Sequence, residues 1–168
     1  GDKFPRRSGY AAVFRVEEVG DEVNRFKVGD IAFGMGNHQS HQRVNQNQAL
    51  PVPDGLAPEM ATFARMMGVS MTTLTTAQAS PPQKVLVCGL GLVGHLAAKN
   101  FQACGYDVYA CDPVDSRRNI ALETGIKNVL RSVPLDDPEL AGKFSLAIEC
   151  SGHEQALLDA AQAVRKRA

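Results

Sequence analysis

The sequence predicts an α/β fold in which part of a doubly wound parallel sheet follows part of a small antiparallel β-barrel. Three observations lead to this prediction. Short β-rich runs separated by turn residues fill the first part of the chain, and after Ser80-Pro81-Pro82 apolar strands alternate with helical segments. A glycine-rich turn, residues 89–94, follows the first of those later strands and opens a helix. We therefore divide the 168 residues into a partial barrel (1–56), linking helices (57–80) and a partial parallel-sheet domain (81–168).

The barrel segment is predicted from its β-rich runs and from the turn residues that bound them. Residues 11–19 and 30–33 indicate two strands, the first closed by Gly20-Asp21 and the second left through Gly34. Residues 40–45 and 49–52 indicate two weaker strands that lead into Pro53. We therefore expect an antiparallel arrangement of short strands here.

The linking segment has helical spacing over residues 57–79, and Gly68 is expected to break it into two helices. A stripe of large apolar side chains would lie near one face, as part of the core rather than of a cofactor site, because methionine commonly fills gaps in cores. Its members are Met60, Phe63, Met67, Met71 and Leu74.

The later part of the chain alternates between strands and helices. Residues 84–88 form a continuous apolar run, which is typical of a strand buried on both faces of a parallel sheet. The further strands are predicted at 107–111, 128–130 and 144–150, and the helices at 91–104, 116–124 and about 153–165. This alternation predicts a doubly wound sheet.

The turn between the first strand and the first helix matches the pattern G-x-G-x-x-G in the context that this pattern requires. Gly89 would permit the tight turn, Gly91 would let a pyrophosphate approach the backbone, and Gly94 would let the helix pack closely on the sheet. Leu90, Leu92 and Val93 complete the turn, and the helix N-terminus would attract the phosphates. The alternative is a turn that only packs the strand against the helix.

Asp112 stands at the carboxyl end of the second strand, where a carboxylate can accept hydrogen bonds from the adenosine ribose. Its charge would repel a 2′-phosphate, so the sequence favours NAD over NADP. Arg117 and Arg118 complicate this prediction, because a nearby arginine can hold that phosphate. Solvated or adenine-facing roles for the two arginines stay open.

The composition excludes several other classes of protein. With 44% hydrophobic and 21% charged residues the chain is not a disordered one. Its 18 Lys and Arg balance 18 Asp and Glu, so we expect no nucleic-acid or membrane partner. No run approaches the ~18 apolar residues of a membrane span, and residues 1–7 lack the apolar core of a signal peptide. We expect a soluble, cytoplasmic protein.

Three of the four cysteines, Cys88, Cys111 and Cys150, lie inside apolar runs, where a free thiol behaves as a small buried hydrophobe. No pair of cysteines has the short spacing of a zinc knuckle. We therefore expect inert core thiols, which fits a reducing compartment.

The segments occur in an order that resembles the medium-chain dehydrogenase/reductase superfamily, in particular its alcohol, polyol and threonine dehydrogenase branch. The matching pieces are a glycine-to-glycine barrel segment (9–20), an F-x-x-G-D-like turn (26–32), a P-x-P-D-G-L-like lead into the helices (50–56), the 89–94 turn, Asp112 and Cys150-Ser151-Gly152. The resemblance implies a GroES-like barrel followed by a Rossmann-type domain, hydride transfer with NAD and a small-molecule substrate. It also implies a cofactor contact for Ser151.

The chain departs from the zinc-dependent members of that superfamily. Where they carry a His-Glu pair, with the histidine on catalytic zinc, this sequence has Tyr10 and Ala11. Arg65 occupies the place that best matches an acidic position in the linking helix, and no cysteine precedes Cys88. These side chains do not supply the imidazole, thiolate or carboxylate donors that zinc needs. We therefore predict no zinc.

Catalytic candidates follow only from the resemblance. Ser70, Thr72 and Thr73 match positions where relatives contact the nicotinamide or its ribose, and their alternative is a hydroxyl bonded back to its own helix. Tyr10 could donate a proton to a carbonyl as a phenol does, and its alternative is an aromatic side chain of the barrel.

Two functions stay open at this stage. One is a zinc-free NAD-dependent oxidoreductase acting on an alcohol, a carbonyl compound or an activated alkene. The other is a dehydrogenase-like NAD-binding protein, or a fragment of a larger enzyme, without redox activity and with a structural or interaction role. Compared with the family, the predicted sheet stops at the strand 144–150, which leaves this apolar strand as an exposed edge. A homo-oligomer or a complementing chain would cover such an edge.

Overall fold

The computed structural model describes residues 8–166, so the N-terminal segment examined for a signal peptide lies outside the described residues. The chain divides into two compact units, residues 1–65 and 66–168. The first contains a three-stranded antiparallel sheet in the order β1-β2-β3, formed by Ala12–Arg15, Ile31–Gly34 and Ala49–Pro51. A short 3₁₀ helix, Gln46–Gln48, leads into β3.

Two of the predicted barrel strands need correction. The strand expected over 11–19 ends at Arg15. Two backbone hydrogen bonds continue its pairing beyond that point, Val16 N–H to Asp30 O (2.9 Å) and Gly29 N–H to Val16 O (2.8 Å). Residues 40–45 form no strand. Within the described residues this unit is a small sheet, and the closed barrel stays a prediction.

The linking helices are α1, Pro58–Ala61, and α2, Ala64–Thr76. The predicted break at Gly68 is wrong, because Gly68 lies inside α2 and the break falls at residues 62–63. There the Thr62 hydroxyl and the Phe63 N–H bond back to Glu59 O and Met60 O.

The apolar stripe of the linking helices is not the core face that we predicted. Four of its members are exposed in the structure: Met60, Phe63, Met67 and Met71. Only Leu74 packs against the core of the second unit, and Ser70 is the buried residue of α2. The buried face of α2 therefore follows Ser70 and Leu74 rather than the methionines.

The second unit contains a four-stranded parallel sheet in the order β6-β5-β4-β7, with helices between its strands. The elements in chain order are β4 (Lys84–Cys88), α3 (Leu92–Ala103), β5 (Asp107–Cys111), α4 (Asp115–Glu123), β6 (Asn128–Leu130), β7 (Leu146–Glu149) and α5 (Glu154–Ala163). The predicted α/β class and parallel sheet are confirmed.

Both faces of this sheet are covered, as a doubly wound fold requires. Val85 and Val87 of β4 point into a core with Phe101 of α3, while Leu86 and Cys88 point into a second core that includes Phe144. Alternate residues of β4 thus pack into two different cores, which explains why its sequence is an unbroken apolar run.

The outer strand β7 is an edge of the described sheet. Just after α5, Val164 forms a parallel β-bridge with Phe144, which lies two residues before β7. Within residues 8–166, each helix is too short or too polar to span a lipid bilayer.

Candidate functional site

The carboxyl ends of β4, β5 and β7 meet at one edge of the parallel sheet, and the predicted cofactor residues lie there. Gly89 N–H donates to Cys111 O (2.7 Å), and Cys150 N–H donates to Cys88 O (2.8 Å). These bonds join the glycine turn to the ends of both neighbouring strands. The carboxyl edge of a parallel sheet is where ligands bind in folds of this class.

Gly89 and Gly94 are required by the fold itself. Gly89 has a φ of +92°, and a Cβ there would lie 2.8 Å from the Ser151 backbone nitrogen. A Cβ on Gly94 would lie 1.8 Å from the Gly89 carbonyl oxygen, closer than any real contact. These two glycines therefore bring the turn, α3 and the end of β7 together.

Gly91 differs from both of them. Its φ of −66° is available to every residue, and a Cβ at this position would meet nothing within 4 Å. Gly91 is the N-cap of α3, and no side chain caps that helix end. The site thus has a bare helix N-terminus beside open space, which fits a pyrophosphate held by backbone N–H groups.

Asp112 ties the turn to the end of β5. Its carboxylate accepts hydrogen bonds from the N–H groups of Leu90 (2.8 Å) and Val114 (2.9 Å), and its side chain is only 1% exposed. Burial alone would raise the pKa of Asp112. The two N–H donors and the Arg117 guanidinium outweigh burial and hold this pKa below its ordinary value. Asp112 is therefore an anion at neutral pH, lying directly behind the glycine turn.

The two arginines near Asp112 have different environments. Arg118 donates to Asp112 O (2.7 Å) and is paired with Asp115, and its side chain is 19% exposed. Arg117 makes one longer contact with the Asp112 carboxylate (3.3 Å) and is 53% exposed. Arg118 is thus held by structural bonds, whereas Arg117 is the more available side chain for a ligand.

Glu149, which the sequence analysis did not single out, shapes the turn after β7. Its carboxylate accepts from Ser151 N–H (2.6 Å), from the Ser151 hydroxyl and from Gly152 N–H (3.1 Å). Burial would raise the pKa of Glu149, but these donors lower it below its ordinary value. The signal available in the sequence was an acid two residues before a Ser-Gly pair. The Ser151 hydroxyl is engaged by this carboxylate.

The cysteines at this edge match the prediction of inert core thiols only in part, because a hydrogen bond with Cys88 lowers the pKa of Cys111. Cys88 and Cys111 are paired across β4 and β5 and are buried, while Cys150 is half-buried. A hydrogen bond to Cys111, together with burial, raises the pKa of Cys88, and burial raises that of Cys150. Both thiols therefore stay protonated at neutral pH, which makes them poor nucleophiles.

Two of the three serine and threonine hydroxyls named as catalytic candidates, those of Ser70 and Thr72, bond to helix backbone. Ser70 is buried, donates to Met67 O (2.9 Å) and accepts from the Asn100 side chain. Thr72 is exposed and lies 3.4 Å from Gly68 O. The geometry matches the alternative that the sequence analysis left open, a hydroxyl bonded back to its helix.

Tyr10 and Arg65, the two departures from the zinc pattern, lie together. The Arg65 guanidinium carbon is 5.4 Å from the centroid of the Tyr10 ring, and Tyr10 is 55% exposed. His38 packs beside Gly9, and His41 pairs with Glu17 (3.1 Å). In the part of the chain that the structure describes, no cluster of three or more His, Cys, Asp or Glu could hold a metal ion.

No family model matches the sequence. Among individual proteins, it is 26% identical over 161 residues to the probable cinnamyl alcohol dehydrogenase 1 of Aralia cordata, covering 71% of this chain and 45% of that protein. It is 27% identical over 190 residues to the NADP-dependent alcohol dehydrogenase C 1 of Mycolicibacterium smegmatis, covering 86% and 54%. The chain thus spans about half the length of the relatives that it matches.

Solved structures show the same fold. An alcohol dehydrogenase superfamily protein from Novosphingobium aromaticivorans matches 96% of this chain and 53% of its own, with a TM-score of 0.78 and 24% identity. Acetophenone reductase from Geotrichum candidum, solved in complex with NAD, matches 91% of this chain and 55% of its own, with a TM-score of 0.74 and 20% identity.

Proposed function

We propose that this chain acts as an NAD(H)-dependent oxidoreductase. Over most of its length, its relatives are alcohol dehydrogenase-like members of the medium-chain dehydrogenase/reductase superfamily. The reaction is hydride transfer between nicotinamide and a small alcohol or carbonyl compound, or an activated alkene, without catalytic zinc. The protein would work in the cytoplasm.

One observation carries the cofactor part of this proposal. The fold needs glycine at Gly89 and Gly94, but no contact among residues 8–166 needs it at Gly91. Gly91 therefore places no side chain at the uncapped N-terminus of α3, which faces open space. A pyrophosphate that must contact the protein backbone at this point would explain why the residue is a glycine.

The roles of the remaining residues follow from their charges. The N–H groups at the start of α3 would hold the pyrophosphate. Asp112 would accept hydrogen bonds from the adenosine ribose once the exposed Arg117 side chain that contacts its carboxylate moves aside, and its negative charge disfavours a 2′-phosphate. Arg117 lies beside that carboxylate and would flank the adenosine. Arg118 is already bound to Asp112 O and Asp115, so it is poorly placed to compensate a 2′-phosphate. NAD is therefore the proposed cofactor.

When bound, the dinucleotide supplies the nicotinamide ring that exchanges hydride with the substrate. Ser70 would have no proton-transfer role, since its hydroxyl donates to Met67 O and is buried. Thr72 and Tyr10 are exposed and stay as candidates for proton donation. Neither tyrosine nor arginine is a ligand that zinc takes up, which supports a zinc-free mechanism.

Calorimetric titration of the full chain with NADH and then with NADPH tests this proposal. Saturable binding of NADH that is at least about tenfold tighter than binding of NADPH, a difference of ~1.4 kcal/mol, would support it. Equal affinities would contradict the cofactor choice, and binding of neither would remove the oxidoreductase assignment.

A second candidate function is a dehydrogenase-like NAD-binding module without redox activity. It is favoured by Tyr10 and Arg65 standing where zinc-dependent relatives carry ligands. Oxidation of NADH, followed by its absorbance, in the presence of matched aldehydes, ketones and enones separates the two functions. Binding without turnover of any compound would favour the module.

A further inference from the structure

The turn that follows β7 lies in close backbone contact with the glycine turn. Glu149 is the last residue of β7 and pairs with Cys88, which directly precedes Gly89. A Cβ on Gly89 would lie 2.8 Å from the Ser151 nitrogen, so the two backbones leave no space between them. The position of Gly89 therefore depends on residues 150–152, which we call the β7 turn.

The Glu149 carboxylate organises the β7 turn. It accepts hydrogen bonds from the Ser151 N–H (2.6 Å), the Ser151 hydroxyl and the Gly152 N–H (3.1 Å). The same hydroxyl accepts from the His153 N–H (3.1 Å), which links the carboxylate to the residue that caps α5. Gly152 has a φ of +72°, and the N–H groups on either side of its peptide bond converge on one anion, as they do in a backbone nest. The chain itself supplies that anion.

The charge of Glu149 makes this arrangement rigid. Burial would raise the pKa of Glu149, but the Ser151 and Gly152 donors hold it below its ordinary value, so the group is an anion at neutral pH. An ionised acceptor binds N–H groups more strongly than a neutral one does. Without the carboxylate, the same N–H groups must find other acceptors, and the β7 turn is free to leave its place beside Gly89.

We propose that Glu149 is a positioning residue for the dinucleotide. Its carboxylate fixes the β7 turn, the β7 turn fixes Gly89, and the Gly89 carbonyl in turn packs directly on Gly94 of α3. Glu149 thereby sets where the N-terminus of α3 meets the pyrophosphate, although it acts only through the backbone. The positioning role rests on the proposed binding of NAD, whereas the fixed turn does not.

Calorimetric titration of the full chain with NADH tests this role in two variants. Glu149→Ala removes the acceptor oxygens, so NADH affinity should fall about tenfold or more. Glu149→Gln keeps one acceptor oxygen without the charge and should recover part of that affinity. Affinity and the number of binding sites are determined separately, because a partly unfolded sample lowers only the number of sites. The phosphorus NMR resonances of bound NADH should also shift in Glu149→Ala, since the contacts of the pyrophosphate with α3 change.

Glu154→Ala is the matched control, because Glu154 is an exposed glutamate in the first turn of α5. This variant should bind NADH with the wild-type affinity and the wild-type phosphorus resonances. Unchanged NADH affinity in Glu149→Ala would overturn the positioning role. Tighter binding would overturn it as well, since the carboxylate would then act mainly by repelling the phosphates. An equal loss in Glu154→Ala would assign the effect to negative charge in this region rather than to the contact.

Amide hydrogen exchange of the chain without cofactor separates this inference from the proposed function. The Ser151 and Gly152 N–H groups should exchange about tenfold or more faster in Glu149→Ala than in the wild type. If they do so but the wild type does not bind NADH, the turn is fixed by Glu149 and the oxidoreductase function fails. If the wild type binds NADH and the exchange is equal in both proteins, the positioning role fails alone.

Discussion

The glycines of the turn after β4 have different causes, and a pair of single substitutions separates them. Valine at position 91 has room in the protein and a permitted backbone, so Gly91→Val should change the free energy of unfolding by no more than about 1 kcal/mol. Its branched side chain would occupy the approach of the pyrophosphate. We therefore expect loss of NADH binding by calorimetry with an unchanged circular dichroism spectrum. Normal binding by this variant would place the phosphates elsewhere.

Gly94→Ala is the matched control, because it adds a single methyl group at a position that has no room. The new Cβ would collide with the Gly89 carbonyl oxygen, so the turn and α3 must separate. We expect a loss of about 1–3 kcal/mol in the free energy of unfolding, measured in urea. A stable Gly94→Ala variant would show that the turn adapts, and the contrast with Gly91 would then carry no information on the ligand.

Asp112 gives the second prediction at the residue scale. Replacing it with alanine removes the proposed acceptor for the ribose hydroxyls, so NADH affinity should fall by about 1.5–3 kcal/mol. NADPH affinity should fall less, because the repulsion of its 2′-phosphate is removed at the same time. The measurement is calorimetry at a temperature where circular dichroism shows the variant folded, since Asp112 also holds Leu90 and Val114. Equal losses for both cofactors would contradict the ribose role.

At the scale of the elements, the sequence predicts strand bounds best where they depend on the local sequence alone. The predicted bounds of β4, β5 and β6 match the observed ones, and in β4 the cause is a continuous apolar run that fixes a buried parallel strand. In the first unit, the run over 11–19 keeps its β-rich composition beyond Arg15, although only β1 has a partner strand. Composition alone does not reveal where a partner strand ends.

The linking helices show why burial is harder to predict than helicity. Periodicity identified the helical segment, but the apolar stripe through Met67 and Met71 is not the face that packs. Ser70 is buried because its hydroxyl meets a hydrogen-bond partner on α3, the Asn100 side chain. That partner is distant in sequence, so no local pattern could reveal it. The stacking of Arg65 on Tyr10 could not be predicted either, because these two residues are also distant in sequence.

Asn100 joins α2 to α3 through a buried polar contact, which gives a prediction at the scale of the element. Its amide donates to Met67 O (3.1 Å) and to the Ser70 hydroxyl. Asn100→Ala leaves both oxygens with one partner fewer in a buried place, so the free energy of unfolding should fall by about 1–3 kcal/mol. Asn119→Ala, the same change at an exposed helical site, should cost less than about 0.5 kcal/mol. Equal effects in urea unfolding would show that the bridge does not stabilise the unit.

On the scale of the whole molecule, the sequence could predict a parallel sheet with helices between its strands, and the edge of that sheet where the proposed cofactor residues lie. Strands that alternate with helices and a glycine turn after the first strand are enough for that, because right-handed crossovers leave few alternatives. The carboxylate of Glu149 could not be placed in the same way. Its role depends on the turn that it closes, which exists only once β7 lies beside β4.

Two buried or half-buried carboxylates hold the site edge, and they predict how the molecule responds to acid. The pKa values of Asp112 and Glu149 are both lowered in the folded chain, because backbone N–H groups of the turns donate to them. The folded state therefore binds fewer protons than the unfolded state as the pH falls through the ordinary carboxyl range. The free energy of unfolding should be level near neutral pH and should fall below about pH 4.5, the ordinary value for glutamate.

Urea unfolding between pH 3 and 7 measures this dependence. The fluorescence of Tyr106 and Tyr109, which belong to the second unit, reports on it in a Tyr10→Phe background. The double variant Asp112→Asn with Glu149→Gln should be less stable at neutral pH and should lose less stability on acidification. Asp136→Asn, an exposed carboxylate, should follow the wild-type profile. A double variant with the wild-type acid slope would mean that other carboxylates govern acid unfolding, and that the site edge is not held by these two charges.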